Sequence, residues 1–279
     1  MFKYIVRRIF VTLPTIFLTI SLIFFGLRIL PGDPATVMIG DNSSPEAVEA
    51  LREKMGLNEP IWIQYLDFLG SVVRADLGES FISGEPVSRQ LLSVFPDTLK
   101  LTLFGIIIGC VIGIPLGIVS ALKRETKLDN LLRFLSVIGL SIPPFLLGIY
   151  MIIVFSLKIP IFPSMGSGEG FIGEIYHLIL PALTIGLILS ASIMRYTRSS
   201  MLDEINQDYV RTAWAKGVPE KVVIFKHLLR NTLIPVVTVI GLQMTALLSG
   251  SVITESIFSR SGLGSLAMAL PNQAKHQKK

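Results

Sequence analysis

Five uncharged, apolar runs alternate with polar segments along the chain. The runs occupy residues 10–27, 101–122, 134–157, 175–194 and 231–254. A helix of about 20 apolar residues crosses the hydrocarbon core of a bilayer, so each run has close to the length of one transmembrane helix. None of the runs alternates apolar and polar residues as the strands of a membrane barrel do. The pattern therefore predicts an all-α membrane protein, a polytopic helical bundle with five transmembrane helices.

The first run follows a basic amino end, so a cleaved signal peptide is a competing interpretation. The run is long for the apolar core of a signal peptide, and residues 28–33 (RILPGD) contain no small-residue cleavage site. We therefore expect residues 1–30 to form a retained first transmembrane helix.

Basic residues in the short connections predict which side of the membrane each connection faces. With the amino terminus inside, the inside segments carry three, four and seven Lys or Arg residues, and these segments are residues 1–9, 123–133 and 195–230. The segment of residues 31–97 has an acidic excess. This arrangement satisfies the positive-inside rule, and the opposite orientation would place all of these basic residues outside. We predict a cytoplasmic amino terminus.

The polar segment of residues 31–97 is too long for a simple turn and should contain helices of its own. Ser44 precedes a proline and a glutamate, which is typical of a helix start, and Gly56 is placed to end that helix. A second helical pattern covers residues 61–73. We predict an extracytoplasmic helical insert over residues 31–97.

Two features inside the apolar runs concern how the spans pack and bend. Gly105, Gly109, Gly113 and Gly117 recur every four residues. This spacing lets helix backbones approach closely and predicts a packing seam, with a ligand-lined groove as the alternative. Pro143-Pro144 lies in the middle of the third run. The pair fits either a functional break or a tolerated kink whose freed carbonyls are satisfied by neighbouring groups.

The composition agrees with a membrane protein. The 279 residues are 51% hydrophobic and only 16% charged, with a mean hydropathy of +0.65, whereas soluble domains carry about 25% charged residues. The net charge of +5 indicates topology bias rather than nucleic-acid binding, because the basic residues cluster beside apolar runs. The single cysteine, Cys110, excludes an intrachain disulfide and fits a small buried hydrophobe.

The sequence contains no motif for nucleotide hydrolysis, metal binding or nucleophilic catalysis. GxxxxGK[ST], HExxH, CxxC and GxSxG are all absent. His177, His227 and His276 are far apart and lack the spacing of metal ligands. We therefore expect no cofactor, no metal and no enzymatic activity in this chain.

The apolar runs also lack the charged residues that ion coupling requires. Ion-coupled transporters place acidic, basic or His residues inside the membrane to bind or relay ions. The deeply placed polar groups here are Ser, Thr and Gln243. A chain that moves solute without such charges and without a nucleotide site takes its energy from a partner. The alternatives from other classes are a secondary transporter and an intramembrane enzyme such as a protease.

Small polar residues within the runs are candidates for the lining of a solute pathway. Their alternative role is hydrogen bonding between helices, which averages about 0.6 kcal/mol in membranes. The pathway candidates are Ser141, Ser192, Gln243, Thr245 and Ser249, together with Ser251.

The longest polar-rich stretch of the second half runs from Asp208 to Pro235, between two apolar runs. Asp208 is suited to cap a short helix over residues 209–216, and Gly217 then stands where a left-handed residue ends a helix. Pro219 suits the first turn of a second helix. The segment therefore predicts a helix, a glycine turn and a second helix.

At these residues the chain resembles a family of transport proteins. Arg211-Thr212-Ala213, Gly217 and Leu233-Ile234-Pro235 look like the EAA loop of binding-protein-dependent ABC importer permeases. The flanks, residues 195–217 and 226–236, resemble the oligopeptide, dipeptide and nickel branch of that family. The similarity extends over residues 1–266, so it does not rest on one short motif.

The resemblance implies a fold like that of an ABC type I importer permease. Its permease domain would cover residues 98–279, with a cytoplasmic coupling loop at residues 195–233. In the family this loop sits in a groove of an ATPase subunit. The implied docking residues are Tyr209, Val210, Arg211, Thr212, Ala213, Ala215, Lys216 and Gly217.

The resemblance also implies a function and a set of partners. The chain would form half of the pathway of an ATP-driven importer in a prokaryotic cytoplasmic membrane. The implied partners are a second homologous permease, two cytoplasmic ABC ATPase subunits and an extracytoplasmic substrate-binding protein, with no nucleic acid. ATP hydrolysis belongs to the partners. The solute stays open among a dipeptide, an oligopeptide, nickel and glutathione.

The carboxyl end departs from the pattern of the family. Residues 254–258 (TESIF) and 262–266 (GLGSL) resemble the segment after the fifth span, but Ser259-Arg260-Ser261 replaces the usual aromatic-proline pair. The family continues into a sixth span, for which no apolar run remains here. We expect five spans, a carboxyl end on the outer side, and a coding sequence truncated or frameshifted near Met268.

Overall fold

The structure is a computed structural model that describes residues 2–29, 35–36, 44–80 and 83–268. Within these ranges every regular element is a helix, and extended pairing is limited to one isolated bridge between Glu79 and Pro86. The expectation of an all-α fold is confirmed. The described part of the chain divides into two compact units, one up to residue 90 and one from residue 91 onwards. Residues 269–279, which bear on the expected truncation, lie outside the described ranges.

The first unit is built from helices α1 (Phe2–Ile29), α2 (Pro45–Lys54) and α3 (Ile61–Val73). Ser44 caps α2 as the sequence predicts, because its hydroxyl accepts a hydrogen bond from the Ala47 amide at 3.3 Å. Gly56 follows α2 with a φ of +64°, a conformation that glycine adopts without a Cβ penalty. Both helices predicted in the polar insert are therefore confirmed.

Helices α1 and α3 pack through aromatic side chains. Phe24 is buried, and its ring centroid lies 5.3 Å from that of Tyr65 and 5.2 Å from that of Phe68. The Tyr65 hydroxyl shares a 2.6 Å hydrogen bond with Ser21 Oγ. These contacts fix α3 against the carboxyl-terminal half of the first span.

Beyond residue 86 the chain is helical except for short connections. The helices are α4 (Val87–Leu122), α5 (Lys127–Ser141), α6 (Pro144–Ile152), α7 (Gly170–Ile205), α8 (Asp208–Ala215), α9 (Glu220–Val222), α10 (Leu229–Gly250) and α11 (Val252–Ile257). Two π-helical segments, Ile153–Lys158 and Val223–Leu228, continue α6 and join α9 to α10. Residues 263–268 are helical again.

Four segments of the described chain are long and apolar enough to cross a membrane. They are Ile5–Gly26, Val87–Leu122, Gly170–Ile205 and Glu220–Ser249. Helices α5 and α6 form a fifth candidate only as a pair, because they are bent by 98° where they meet. Four of the five predicted spans are therefore continuous helices, and the third run is not.

The break in the third run falls at Pro143-Pro144. Ile142 and Pro143 have extended backbones, with ψ angles of 123° and 137°. A residue that precedes proline is disfavoured in the α region, so two prolines in succession interrupt the helix over both residues. Pro144 then opens α6, where its missing N–H costs little. The sequence left a break and a kink open, and the geometry is that of a break.

The second unit is organised around α7. In the apolar window of α7, 72% of the residues are buried, against 33% in α4. The glycine face of α4 lies on α7: a Cβ on Gly105 would lie 2.8 Å from Ile185 Cγ2, and one on Gly117 would lie 2.6 Å from Thr197 Cβ. Carbon atoms in contact normally lie about 3.5–4.0 Å apart. The predicted packing seam is therefore confirmed.

Candidate functional site

Helix α8 forms the short helix that the sequence predicts after the fourth span, with one correction at its start. Asp208 is the first helical residue and Gln207 is the N-cap, so the prediction that Asp208 caps the helix is wrong. The Asp208 carboxylate instead lies 3.7 Å from Arg211 Nη1, one turn ahead on the exposed surface. An acidic side chain in the first turn still interacts favourably with the helix dipole.

The end of α8 follows the sequence closely. Gly217 has a φ of +74° and donates to the Trp214 carbonyl at 2.9 Å, while the Val218 amide donates to the Ala213 carbonyl at 3.2 Å. This pair of bonds is a Schellman motif, which satisfies the last carbonyls of a helix and favours glycine in the left-handed position. The predicted left-handed Gly217 is confirmed. Pro219 lies one residue earlier than predicted, as the N-cap of α9.

One face of α8 is anchored inside the chain. Val210 is fully buried against Met201 of α7 and against Val223 and Leu228 of the next helix, and Ala213 packs on the same cluster. The resemblance to the importer permeases places Val210 among the docking residues. Because its side chain is enclosed by its own chain, Val210 anchors α8 and does not offer a contact surface.

The opposite face of α8 and its glycine turn are exposed. Trp214, which is not among the predicted docking residues, is 45% exposed. The sequence contains a signal for this residue. A tryptophan in a polar connection, away from the apolar runs, does not face the bilayer and is therefore a candidate for contact with a partner. We call this surface the coupling face, and it consists of Tyr209, Arg211, Thr212, Trp214, Ala215, Lys216 and Gly217.

Tyr209 ties α8 to the long helices on both sides of it. Its hydroxyl donates to the Glu204 carboxylate at the end of α7 and accepts a 3.1 Å hydrogen bond from Asn231 Nδ2 of α10. Partial burial raises the pKa of the Tyr209 phenol, and the neighbouring carboxylate raises it further. The neutral phenol therefore stays able to donate at physiological pH, and its two hydrogen bonds link α8 to both long helices.

A buried ion pair lies beside this loop. Arg198 of α7 donates to Asp129 of α5 through Nε and Nη2, each at 2.8 Å. Asp129 is fully buried and also accepts from Ser120 Oγ of α4 at 2.6 Å and from the Glu125 amide at 3.0 Å. The four hydrogen bonds link α4, α5 and α7, and we call them the Asp129 clamp.

The sequence pattern does not predict the Asp129 clamp, because Arg198 there counts only toward the basic residues that set membrane topology. A partial signal existed, since Thr126 caps α5 by accepting from the Asp129 amide at 3.3 Å, and such spacing marks a helix start. Nothing in the sequence pairs Asp129 with a residue that is 69 positions away. The clamp is also adjacent to the coupling loop, because Ala121 of α4 belongs to the cluster that buries Val210.

A second buried carboxylate lies near the opposite end of α4. Glu255 is 1% exposed and accepts 2.7 Å hydrogen bonds from Thr98 and Ser251, together with bonds of 2.9 and 3.0 Å from the amides of Gly264 and Ser265. The last apolar run ends at residue 254, immediately before Glu255. The runs themselves therefore contain no acidic residue, as predicted, but a buried acidic residue directly follows the last one. The four bonds join α4, α11 and residues 263–268.

The predicted pathway residues fall into two groups. Gln243 Nε2 lies 3.5 Å from Ser192 Oγ, and Gln243 and Ser251 line a cavity of about 210 Å³ together with Pro144. The structure brings these residues together between α6, α7 and α10. Ser141, Thr245 and Ser249 are exposed, and each hydroxyl donates to a carbonyl four residues earlier in its own helix.

The exposed polar residues of α10 share one face. Thr238, Gly241, Thr245 and Ser249 recur at helical spacing, and a Cβ on Gly241 would meet no atom within 4 Å. Only 11% of the apolar window of this last long helix is buried within the chain. We call this surface the α10 polar face.

Comparison with known proteins shows which family the chain matches and over which residues. Residues 113–273 match the family described as "Binding-protein-dependent transport system inner membrane component", and residues 1–102 match the N-terminal family of the same membrane components. The two matches together leave little of the described chain outside them.

Two relatives illustrate the likeness. The chain is 42% identical over 272 residues to the oligopeptide transport system permease protein AppB of Bacillus subtilis, covering 95% of this chain and 86% of that protein. It is 38% identical over 266 residues to the glutathione transport system permease protein GsiC of Escherichia coli strain K12, covering 95% and 85% respectively.

A solved structure shares the fold. An inward-facing conformation of the MetNI methionine ABC transporter superimposes with a TM-score of 0.53 at 20% identity, covering 67% of this chain and 87% of the matched chain. The first family match includes α8 and its glycine turn. The chain belongs to the binding-protein-dependent inner membrane components, as an ABC importer permease of the oligopeptide and dipeptide branch.

Proposed function

We propose that this permease forms half of the translocation pathway of an importer for short peptides, a class that includes glutathione. The names of the two relatives, an oligopeptide permease and a glutathione permease, support this solute class. The energy would come from two ATPase partners, because the sequence lacks a nucleotide-binding motif. The observation that carries the proposal is the coupling face, an exposed surface on a short helix held firmly between two long ones.

The construction of the loop suits the transmission of force from a partner. Val210 locks α8 into a cluster that includes α7, α4 and the helix leading into α10. Tyr209 adds hydrogen bonds to α7 and α10, and the Asp129 clamp holds the ends of α4, α5 and α7 together. A push on the coupling face therefore moves several long helices as one body, as in rigid-body switching.

We assign the α10 polar face to the solute pathway, opposite a second homologous permease. Its hydroxyls and its glycine are exposed within this chain, so they are free to face a partner. Hydroxyl oxygens that donate along their own helix still have a lone pair with which to accept from peptide N–H groups. Uncharged hydroxyls also provide polar contacts without the cost of charges at membrane depth.

The proposed orientation places the amino terminus and the coupling face in the cytoplasm of a prokaryotic cell. The charge distribution supports it, since the basic residues concentrate in residues 1–9, 123–133 and 195–230. An extracytoplasmic binding protein would then deliver the peptide on the side of the insert. In a Cys110→Ser background, Glu46→Cys should react with an impermeant thiol reagent in intact cells and Asn206→Cys should not. The reverse labelling would overturn this orientation.

Uptake of a labelled dipeptide and tripeptide tests the function itself. The permease and its partners are reconstituted in vesicles with ATP on the side of the coupling face. We expect uptake that requires ATP and the binding protein. Glutathione and a nickel complex serve as competitors that resolve the solute class. Uptake driven by an ion gradient without nucleotide would contradict the proposal.

A further inference from the structure

A cavity in the first unit lies where α1 meets α3. Its volume of about 440 Å³ falls within the range of small-molecule sites, about 300–1,000 Å³. Residues of α1, of the turn after α2 and of α3 line it. Those that matter here are Phe24, Arg28, Gln64, Asp67, Phe68 and Ser71. The α3 members recur at helical spacing and therefore share one face.

Gln64 gives the cavity a fixed and unsatisfied acceptor. Its Nε2 donates to the Leu57 carbonyl at 3.1 Å and to the Glu59 carbonyl at 2.6 Å. Because both partners are carbonyl oxygens, which only accept, the NH2 group of the Gln64 amide must face them. The Oε1 oxygen therefore occupies the other position. Oε1 is buried and has no hydrogen-bond partner among the described residues. A buried acceptor without a donor is costly, so this atom calls for a ligand that carries an N–H or O–H group.

The two charged residues of the cavity have opposite signs. Arg28 and Asp67 both line it, and neither forms an ion pair within the described residues. The Arg28 guanidinium lies 5.5 Å from the ring centroid of Phe24, which leaves its N–H groups available to an anion. One cation and one anion in a single cavity are complementary to a zwitterion.

The surroundings of the cavity favour a lipid over a soluble zwitterion. Arg28 lies in the last turn of α1, where an apolar span reaches the edge of a bilayer. Ile23 of α1 lines the cavity and is 54% exposed, and Trp62, on the opposite face of α3, is 62% exposed. Tryptophan is enriched at the level of lipid headgroups. An exposed apolar side chain in the wall of a polar cavity fits an acyl chain next to a headgroup.

We propose that this cavity binds the headgroup of a phospholipid with a primary ammonium group, namely phosphatidylethanolamine. Its phosphate would pair with Arg28, and its ammonium would donate to Asp67 and to Gln64 Oε1. The trimethylammonium of phosphatidylcholine has no N–H and leaves Gln64 Oε1 unsatisfied. Phosphatidylglycerol has no cation for Asp67. The site is independent of the solute that the permease carries.

Lipid retention on the full-length permease tests the proposal. The protein is taken from nanodiscs that contain equal amounts of phosphatidylethanolamine and phosphatidylcholine with identical acyl chains. Native mass spectrometry then counts the retained lipids. We expect a preference of about tenfold for phosphatidylethanolamine, the size of one charge-assisted hydrogen bond. Asp67→Asn should reduce the preference severalfold, and Arg28→Gln should reduce retention of both lipids.

Matched controls separate the cavity from general charge effects. Glu59→Gln and Arg74→Gln change exposed charges near α3 that do not line the cavity, so both should retain the wild-type preference. Circular dichroism checks that each variant is folded. Equal retention of the two lipids by the wild-type protein would overturn the proposal. So would a preference for phosphatidylglycerol, or displacement of the retained lipid by a free dipeptide.

Discussion

Arg198 donates two hydrogen bonds of 2.8 Å to opposite oxygens of Asp129, a residue 69 positions earlier in the chain. The carboxylate is fully buried and the arginine side chain is 18% exposed. A bidentate pair of this kind fixes the relative rotation of two helices as well as their distance. In this permease the two helices are α5 and α7, beside the loop that we propose receives the ATPase.

The clamp leads to a stability prediction with an internal control. Arg198→Ala leaves a buried, unpaired carboxylate, which costs about 3 kcal/mol and should lower the melting temperature of the purified permease by about 5–10 °C. Asp129→Ala combined with Arg198→Ala should recover part of that loss, because no charge is then stranded. Asp203→Asn, on an exposed site of α7, should change little. Equal melting temperatures for Arg198→Ala and the wild type would contradict the clamp.

Glu255 is predicted to act as a structural acceptor. Glu255→Gln presents an NH2 group to a site where both backbone partners, Gly264 and Ser265, are donors. An NH2 group placed there leaves both amide donors without an acceptor, and one turned toward Thr98 and Ser251 replaces the oxygen to which their hydroxyls donate, so either orientation costs about 2 kcal/mol. Thermal unfolding measures the loss, with Glu169→Gln, on an exposed residue, as the control. A Glu255→Gln protein as stable as the wild type would show that the four bonds are not needed.

The glycine seam gives a prediction in which two substitutions of the same kind differ. Gly117→Ala places a Cβ 2.6 Å from Thr197, and overpacking of this kind costs about 1–3 kcal/mol. Gly241→Ala adds a Cβ that meets no atom within 4 Å, so stability should be unchanged or slightly higher. The melting temperatures of the two variants test this difference. A larger loss of stability for Gly241→Ala than for Gly117→Ala would contradict the assignment of Gly117 to a packed face and Gly241 to an exposed one.

The sequence predicts those features of the fold that depend on residues close together in the chain. Four of the five spans, the Ser44 cap, the left-handed Gly217 and the glycine seam depend on local or periodic features, and all of these appear in the structure. The break at Pro143-Pro144 was one of two local options, and the extended backbones of Ile142 and Pro143 show that the chain adopts the break.

The features that the sequence did not predict depend on long-range partners. The Asp129–Arg198 pair and the Glu255 network join residues far apart in sequence, and charge patterns alone give no pairing. Asp208 entered the helix instead of capping it, because Gln207 provided the extended residue before the first turn. Val210 was assigned to a partner surface that its own chain covers. The pattern of apolar and polar residues in an eight-residue helix does not show which face packs against the same chain and which face a partner contacts.

Gly217 provides a test of the coupling turn that separates backbone strain from steric contact. At a φ of +74°, leucine costs about 1–2 kcal/mol, whereas asparagine tolerates this conformation. The surrounding space within the chain is open. We predict that Gly217→Leu inserts normally but loses ATP-driven uptake, while Gly217→Asn keeps most of it. Full uptake by Gly217→Leu would refute the docking role of the turn.

Cross-linking of the coupling face tests the central claim most directly. In a Cys110→Ser background, the sites are Lys216→Cys and Thr212→Cys on the coupling face, with Glu169→Cys as the control on a distant exposed residue. The assembled importer is treated with a short thiol–amine cross-linker, which joins the introduced cysteine to a lysine of a neighbouring subunit, with and without ATP. We predict that both coupling-face sites cross-link to an ATPase subunit, with a yield that changes with nucleotide, and that the control does not. Cross-links from Glu169→Cys to the ATPase, with none from Lys216→Cys or Thr212→Cys, would contradict the account.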